Sequence, residues 1–295
     1  MHKDRNCKNW VSCWNSSGFF FSKTTDDEQA ESWNKRWGRP ADGMMGRKPK
    51  EQKKRIDEIF VLLKEAGCNV EGARVLDVGS GPGATSIPFA EAGAEVTALD
   101  ISSTALKRLN ASAKKAGVSV QTMECSWWSA DIRKLGLAKK FDLVFVTSTP
   151  AVRDAACFDR MIECSRNFCY YSFLIGPGGH MHEDYSEVLT KVLGKEPPRH
   201  GAGPAGRGSL FINGLMYLYL QGFRPRVRIN HHQRNQTIPW EEAADRAIQA
   251  IDRTEKCTAA EKKKVREYYE ATAVDGKCRS HSEGYSGMMV WNVRR

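Results

Sequence analysis

A glycine-rich turn between a buried strand and a helix is the part of this sequence best suited to binding a ligand. The segment VLDVGSGPG places Gly79, Gly81 and Gly83 directly after an apolar run. Glycine lets the backbone approach a ligand, and the N–H groups of a helix N-terminus bind polar atoms. Asp100 ends the next strand about twenty residues later, where an acid reaches ribose hydroxyls. The unit therefore predicts a site for an adenosine-type ligand.

Two residues of this unit distinguish between the possible adenosine ligands. Gly79, Gly81 and Ala84 formally satisfy the dinucleotide pattern that an NAD-dependent dehydrogenase carries. Asp77 stands just before the loop, and a carboxylate there favours a cationic amino group over a pyrophosphate. Pro82 removes an N–H donor that a phosphate site would use. Both residues favour S-adenosylmethionine over NAD.

The same stretch resembles the first two motifs of class I S-adenosylmethionine-dependent methyltransferases. VLDVGSGPG and VTALDIS correspond to these motifs, and FDLVFVTST resembles the fourth-strand motif, in which Thr147 is expected to contact the cofactor. GFRPRVRI and GYSGMMVWNV resemble the last two strands of that family. The resemblance covers roughly residues 50–295 and implies S-adenosylmethionine as cofactor and methyl transfer as reaction.

The resemblance also implies which residues contact the cofactor. The methionine end would be held by Asp77, Gly79, Ser80, Gly81 and Gly83. The ribose would be held by Asp100, and the adenine would lie against Ile101. Many family members carry an acid after the third strand that contacts the adenine amine, and Asp131 in ECSWWSAD is the candidate here. Equally, Trp127 or Trp128 would line the adenine pocket, or both would simply pack on the sheet edge.

Alternating strand and helix signals would position these residues. Apolar runs predict strands at 74–78, 95–99, 118–124, 141–147 and 168–175, with helices at 84–92, 103–116 and 151–165 between them. Further strands are expected at 224–229 and 287–293. The predicted class is α/β, with a doubly wound, seven-stranded, mostly parallel sheet, an antiparallel last strand and three layers, α/β/α.

The chain divides on this reading into two regions. Residues 1–49 form an N-terminal cover segment, in which SWNKRWG predicts a helical lid over the cofactor. Alternatively Trp33 and Trp37, spaced i, i+4, only pack a helix onto the domain. Residues 50–295 form the methyltransferase domain, with inserted helices at 240–272.

The acceptor is less well determined than the donor. His182 and His180, in the segment HMHED, are the candidate general bases because histidine titrates near neutral pH, although such histidines are often ordinary loop residues. Their i, i+2 spacing is a weak metal signal, and no metal site is predicted. The segment STPA departs from the Asn/Asp-Pro-Pro-Tyr/Phe motif of amide- and base-N-methylating relatives.

Composition limits the remaining possibilities. Nine cysteines, an odd number, and the lack of a signal-like N-terminus predict a cytoplasmic protein with reduced thiols, and no apolar run is long enough for a membrane. A small-molecule acceptor is favoured. The net charge of +10, with Arg224, Arg226 and Arg228 on one strand face, keeps RNA or protein as an alternative acceptor. A protein that binds S-adenosylmethionine without catalysis is a third possibility, and the oligomeric state is not predicted.

Overall fold

The computed structural model describes residues 5–16, 24–39, 49–175, 182–183, 185, 187–196, 209–252 and 256–294. The chain forms two compact units. The first consists of Met1–Phe173, Leu210–Ile229 and Gly287–Arg295, and the second of Leu174–Ser209 and Asn230–Ser286. The boundary predicted at residue 49 separates a cover segment from the methyltransferase domain and does not coincide with a boundary between these units. It stays a prediction.

A parallel sheet organises the first unit. Its strands are β1 (Arg74–Val78), β2 (Glu95–Asp100), β3 (Val120–Glu124), β4 (Phe141–Thr147) and β5 (Ser165–Ile175), and they lie in the order β3-β2-β1-β4-β5. All four neighbouring pairs run parallel. The strand order therefore reverses at β1, where an open parallel sheet leaves a crevice at the carboxyl ends of its strands.

Seven helices of the described chain surround this sheet. They are α1 (Arg5–Ser16), α2 (Asp26–Gly38), α3 (Pro49–Glu65), α4 (Ser86–Glu91), α5 (Ser103–Ala116), α6 (Ala155–Cys164) and α7 (Ser209–Leu220). Local signals fix their ends: a capping box joins Thr25 and Glu28 at the start of α2, and Ser102 caps α5. Gly117 ends α5 in the left-handed conformation with φ of 71°.

Neighbouring residues of β5 show that helices cover both faces of the sheet, because successive strand residues point to opposite sides. Tyr170 stacks on Phe145 at 4.4 Å in the core cluster that contains the apolar residues of α3. Tyr171 packs against Phe158 of α6 at 5.0 Å. Both tyrosine side chains are fully buried. The α/β/α layering was predicted correctly.

The second unit contains a π-helical segment, two helices and parts of the last strands. The segment is Val188–Val192, the helices are α8 (Trp240–Ile251) and α9 (Ala259–Thr272), and the strands are β6 (His182–Glu183), β7 (Arg226–Pro239) and β8 (Lys277–Asn292). β8 follows β5 in the sheet order, pairs antiparallel with β6 and also pairs with β7.

The predicted fold class is confirmed, with differences in the last strands. The sheet has eight strands rather than seven because of the two-residue β6. β7 and β8 are longer than the predicted strands at 224–229 and 287–293. The additional residues were not predicted as strand because they are polar and lack an apolar alternation. No helix in the described part of the chain is long and apolar enough to cross a membrane.

Candidate cofactor site

The loop after β1 is tied to the neighbouring strand. The N–H groups of Gly79 and Ser80 both donate to the carbonyl oxygen of Leu99, at 2.7 and 3.2 Å. Gly79 has φ of 68°, and a Cβ atom added there would overlap the side chain of Thr149. Glycine is therefore required at this position by both conformation and space.

Asp100 is held at the end of β2 by two backbone groups. Its Oδ2 accepts from the N–H of Gly81 and its Oδ1 from the N–H of Ser102, both at 2.8 Å. Burial raises the pKa of this carboxyl, and the N–H donors of Ser102 and Gly81 oppose that rise. The carboxylate is thus fixed in orientation, and its remaining lone pairs are able to accept from ligand hydroxyls.

Asp77 lies beneath the loop and does not line the cavity that the loop borders. Its Oδ2 accepts from the hydroxyls of Thr85 and Ser86, at 2.8 and 2.6 Å, so it anchors the start of α4. Its Oδ1 is buried and has no hydrogen-bond partner among the described residues. Burial raises the pKa of Asp77 to about 6, the two hydroxyls lower it, and the charge of Asp100 raises it.

A cavity at the carboxyl ends of β1, β2 and β4 brings together most of the predicted cofactor residues. From that set it is lined by Gly79, Ser80, Gly81, Asp100, Ile101, Trp127, Trp128 and Thr147. Asp77, Gly83 and Asp131 do not line it. A Cβ atom on Gly83 would meet Leu109 of α5 at 2.9 Å, so this glycine serves helix packing.

Both tryptophans of the segment after β3 are buried and hold the wall of the cavity. The indole N–H of Trp128 donates to the carbonyl of Pro150 at 3.2 Å, and that of Trp127 to the carbonyl of Cys157 at 3.4 Å. The guanidinium of Arg153 lies 4.2 Å from the Trp128 ring. Both tryptophans therefore line the cavity and pack into its wall, and their contact with the adenine stays a prediction.

Asp131 is placed away from the cavity. Its side chain is half exposed and forms an ion pair with Lys134 at 3.5 Å. The backbone N–H of Lys134 also donates to it, at 3.1 Å, and holds the pKa of Asp131 below its usual range. Of the two alternatives for the adenine contact, the geometry favours the tryptophans.

Helix α2 closes one side of the cavity with Gln29, Trp33 and Trp37. Trp33 and Trp37 stack on each other with their ring centres 6.4 Å apart. A Cβ atom on Gly81 would lie 3.4 Å from Trp37. Asn34 fixes the helix, because its Oδ1 accepts from the hydroxyl of Ser102 at 2.8 Å and from the N–H of Thr104 at 3.1 Å.

Helix α3 contributes residues that the sequence did not single out. Gln52 and Arg55 line the cavity. The Nη2 group of Arg55 donates to the hydroxyls of Thr147 and, at 2.7 Å, of Ser148. These partners are more than ninety residues apart in the chain. No local motif could have found this contact.

Of the two candidate general bases, His182 alone lies within the described residues. His180 lies outside the described residues. His182 belongs to β6 in the second unit, where its backbone pairs with Glu283. Within the described ranges, no group of three or more His, Cys, Asp or Glu side chains is placed to hold a metal ion.

Comparison with known proteins decides the family. Residues 75–167, which contain the loop, Asp100, both tryptophans and Thr147, match the family model described as a methyltransferase domain. This segment belongs to the class I S-adenosylmethionine-dependent methyltransferases. The prediction of the superfamily, and of S-adenosylmethionine as the cofactor of this methyltransferase domain, is thereby confirmed.

Relatives of the methyltransferase domain are known from mycobacteria. Uncharacterized proteins of Mycobacterium bovis and Mycobacterium tuberculosis are each 41% identical over 88 residues, which is 30% of this chain and 30% of each relative. The matched stretch thus spans less than a third of those proteins.

The fold of the methyltransferase domain has solved counterparts. The crystal structure of magnesium protoporphyrin IX methyltransferase from Synechocystis PCC 6803 with bound SAH superposes with a TM-score of 0.52 and 17% identity. The superposition covers 90% of this chain and 98% of that one. At this identity the likeness shows the fold.

The residues present fit S-adenosylmethionine. The absence of a Cβ atom at Gly79 lets the loop lie directly against Thr149 at the cavity, and Asp100 offers a fixed carboxylate there. Buried negative charge at Asp77 and Asp100 suits a ligand that carries positive charge. The tryptophan-lined wall suits a flat base.

Proposed function

We propose that this protein is an S-adenosylmethionine-dependent methyltransferase that acts on a small-molecule acceptor by in-line displacement in a desolvated site. The observation that supports this most is the cavity of the first unit, where the glycine loop and Asp100 lie beneath Trp33 and Trp37 of α2. A cavity that a helix closes on one side suits an acceptor small enough to enter it.

The roles of the residues follow from their positions. Asp100 would accept hydrogen bonds from the ribose hydroxyls, and the loop of Gly79, Ser80 and Gly81 would contact the methionine part. Ile101, Trp127 and Trp128 would enclose the adenine. Asp77 would hold the loop through Thr85 and Ser86.

Methyl transfer depends on the alignment of acceptor and donor and on the exclusion of water more than on a strong catalytic group. When bound, S-adenosylmethionine supplies a methyl group activated by a sulfonium. Helix α2 would exclude water from the cavity, which favours a reaction in which charge is neutralised. The cavity walls would align the acceptor with the donor. His182 and His180 stay the predicted general bases for an acceptor that loses a proton.

An RNA or protein acceptor is the second candidate, and the net charge of +10 is its support. The arginine face proposed for it is partly occupied, because Arg226 and Arg228 pair with Glu65 at 3.7 and 3.0 Å. Arg224 lies over the ring of Tyr219 at 4.4 Å. The single carboxylate of Glu65 thus compensates one of the three positive charges within the protein, which weakens the case for phosphate binding.

The acceptor class is tested by incubating the protein with methyl-labelled cofactor and a cell extract, then separating the products by size. Label in small molecules is expected. Label in nucleic acid or protein would contradict the small-molecule acceptor, and cofactor binding without transfer to any fraction would favour the non-catalytic alternative. His182→Ala with full activity would remove the first general-base candidate. A cytoplasmic location remains a prediction from the sequence.

A further inference from the structure

Positive charge is concentrated in the first unit. The sequence of the second unit contains as many basic as acidic residues, so the whole net charge of +10 belongs to the first unit. A surface with an excess of one sign attracts partners of the opposite sign, whereas an even mixture of charges does not. A site for a polyanion is therefore expected on the first unit.

Helix α5 carries a part of this charge that no acid compensates. It contains Lys107, Arg108, Lys114 and Lys115 but no Asp or Glu. Within the described ranges, no ion pair joins these four residues to an acid. Lys114 and Lys115 lie in the last turn, where cations stabilise the helix dipole, but Lys107 and Arg108 lie in the second turn, beyond that effect.

Other basic side chains of the first unit do meet acids. Arg133 lies 2.8 Å from Glu163, and the β7 arginines Arg226 and Arg228 share Glu65. The charges of α5 are thus the ones that a partner outside the chain would neutralise.

The four cations form two rows along the outer side of α5. Lys107 and Lys114 are separated by about two helical turns, and Arg108 and Lys115 repeat this spacing one position later. Each row spans roughly 10 Å, which is the length of about three nucleotides along one strand. The opposite side of the helix is buried through Ala105, Leu106, Leu109 and Ala113.

The end of α2 adds a fifth cation. The Nη2 group of Arg108 donates to the backbone carbonyl oxygen of Arg39 at 2.6 Å, directly after the last residue of α2. Arg39 is exposed, and a bond from Arg108 to a neutral carbonyl leaves both guanidinium charges uncompensated. We call Lys107, Arg108, Lys114, Lys115 and Arg39 the α5 basic face.

One polar residue within this face distinguishes between nucleic acids. Asn110 is exposed and lies between Lys107 and Lys114 on the helix surface. Its Nδ2 donates to the hydroxyl of Thr122 at 3.4 Å, so its Oδ1 is the group that accepts. An acceptor among cations suits the 2′-hydroxyl of RNA, which DNA lacks.

The same face does not suit a lipid surface. A protein that lies on a bilayer inserts apolar side chains between the headgroups. None of the described large hydrophobic residues with strongly exposed side chains lies on α5 or α2; Val61, Tyr219 and Ile229 are examples from other elements.

We propose that the α5 basic face binds the phosphate backbone of an RNA strand without regard to base sequence. Lysine and arginine neutralise phosphates one by one, and the helix presents them at a spacing that one strand can follow. This is a binding activity beside the cofactor site. It requires neither methyl transfer nor RNA as the methyl acceptor, so it does not rest on the proposed function.

Fluorescence anisotropy with a labelled oligouridine, over a series of salt concentrations, tests the face. The α5 variant carries Lys107→Gln, Lys114→Gln and Lys115→Gln together, and a second variant replaces the same lysines by arginine. The matched control carries Lys53→Gln, Lys54→Gln and Lys64→Gln. These three lysines are exposed on α3, a helix of the same unit that also contains acids. Each protein is first checked for a wild-type melting curve.

The glutamine variant of α5 is expected to bind oligouridine about 10- to 100-fold more weakly than wild type at low salt. Its plot of log Kd against log salt concentration should be shallower by roughly two, because each lost phosphate contact removes about 0.7 from the slope. The arginine variant keeps the charges and should match wild type. The α3 control should lose less than about 3-fold, since distant charges are screened.

Two further variants sharpen the test. Lys107→Glu reverses one charge away from the helix ends and should weaken binding by about 3- to 10-fold, so it replaces the glutamine variant if that protein melts early. Wild type should prefer oligouridine to oligodeoxyuridine of equal length, and Asn110→Ala should reduce this preference. All variants should bind S-adenosylhomocysteine as wild type does, so a failure of the cofactor assignment would leave the RNA measurements unaffected.

Equal losses in the α5 and α3 glutamine variants would show that only the net charge matters and would overturn the site. A wild type that does not bind oligouridine at low salt would overturn it as well. Equal affinity for oligodeoxyuridine would overturn RNA as the partner. Binding to vesicles of phosphatidylcholine and phosphatidylglycerol, without binding to oligouridine, would assign the face to a lipid surface instead.

Discussion

The backbone N–H of Gly81 donates to Oδ2 of Asp100 at 2.8 Å, and this bond joins the glycine loop to the end of the next strand. Two features that the sequence separates by nineteen positions thus form one unit. A change in the acid therefore disturbs both the direct ligand contact and the shape of the loop.

Asp100→Asn is expected to weaken the binding of S-adenosylhomocysteine by about 10- to 100-fold, because the amide keeps the size but loses the charge and one acceptor. Isothermal titration calorimetry measures the change. Asp131→Asn is the control, since Asp131 pairs with Lys134 away from the cavity. Equal losses in the two variants would contradict the placement of the ribose at Asp100.

Gly79→Ala is expected to abolish detectable cofactor binding, because the new Cβ atom would overlap Thr149 and displace either the loop or the β4 end. Gly117→Ala is the matched control. Its φ of 71° imposes a similar backbone strain of about 1–2 kcal/mol, but no atom of the described part of the chain lies within 4 Å of the added Cβ. Both variants should lose thermal stability, and only Gly79→Ala should lose binding. Retained binding in Gly79→Ala would show that the loop and β4 move apart without a loss of binding free energy.

Asp77→Asn is expected to change the pH dependence of stability. Burial raises the pKa of Asp77 from 3.8 to about 6. The folded state therefore holds the proton more tightly than the unfolded chain, and wild type loses stability relative to Asp77→Asn as pH rises from about 4 to about 6. Above that window the difference is complete and on the order of 3 kcal/mol. The amide oxygen still accepts from Thr85 and Ser86.

Denaturant unfolding of wild type and Asp77→Asn from pH 4 to 8 measures this difference. Asp142→Asn provides a contrast of opposite sign. Burial raises the pKa of Asp142, but hydrogen bonds from Arg74 and Arg166 outweigh it and hold the pKa below its usual range. That variant should be less stable than wild type throughout this range, and the deficit should shrink only below about pH 4, where wild type loses the contribution of the Asp142 carboxylate. A pH-independent difference for Asp77→Asn would contradict a raised pKa.

Asn34→Ala is expected to raise the Michaelis constants for donor and acceptor several-fold, with a smaller effect on kcat, because α2 loses its hydrogen bonds to Ser102 and Thr104. Steady-state kinetics measures both constants. Lys35→Ala, on the exposed side of the same helix, is the control. Deletion of residues 1–45 should have a larger effect in the same direction. Unchanged kinetics in both would show that α2 does not cover the bound substrates.

The sequence predicted the elements whose signals are local. The glycine loop, the acid at the end of β2 and the bounds of α5 follow from residues within a few turns of each other. The Arg55 contact with Ser148 and the Asn34 contact with Ser102 join residues far apart in the chain, so no spacing rule reveals them. The inward turn of Asp77 towards Thr85 and Ser86 was missed for another reason: the same residue type suits a ligand contact or an internal anchor equally well.

Four of the eight tryptophans of the sequence border the cavity, namely Trp33, Trp37, Trp127 and Trp128. Indole emission responds to the polarity and the stacking of its surroundings. A ligand that displaces water from this cavity would therefore change the intrinsic fluorescence of the unlabelled protein, and the occupancy of the site becomes readable in real time, in wild type and in every variant that retains these four rings.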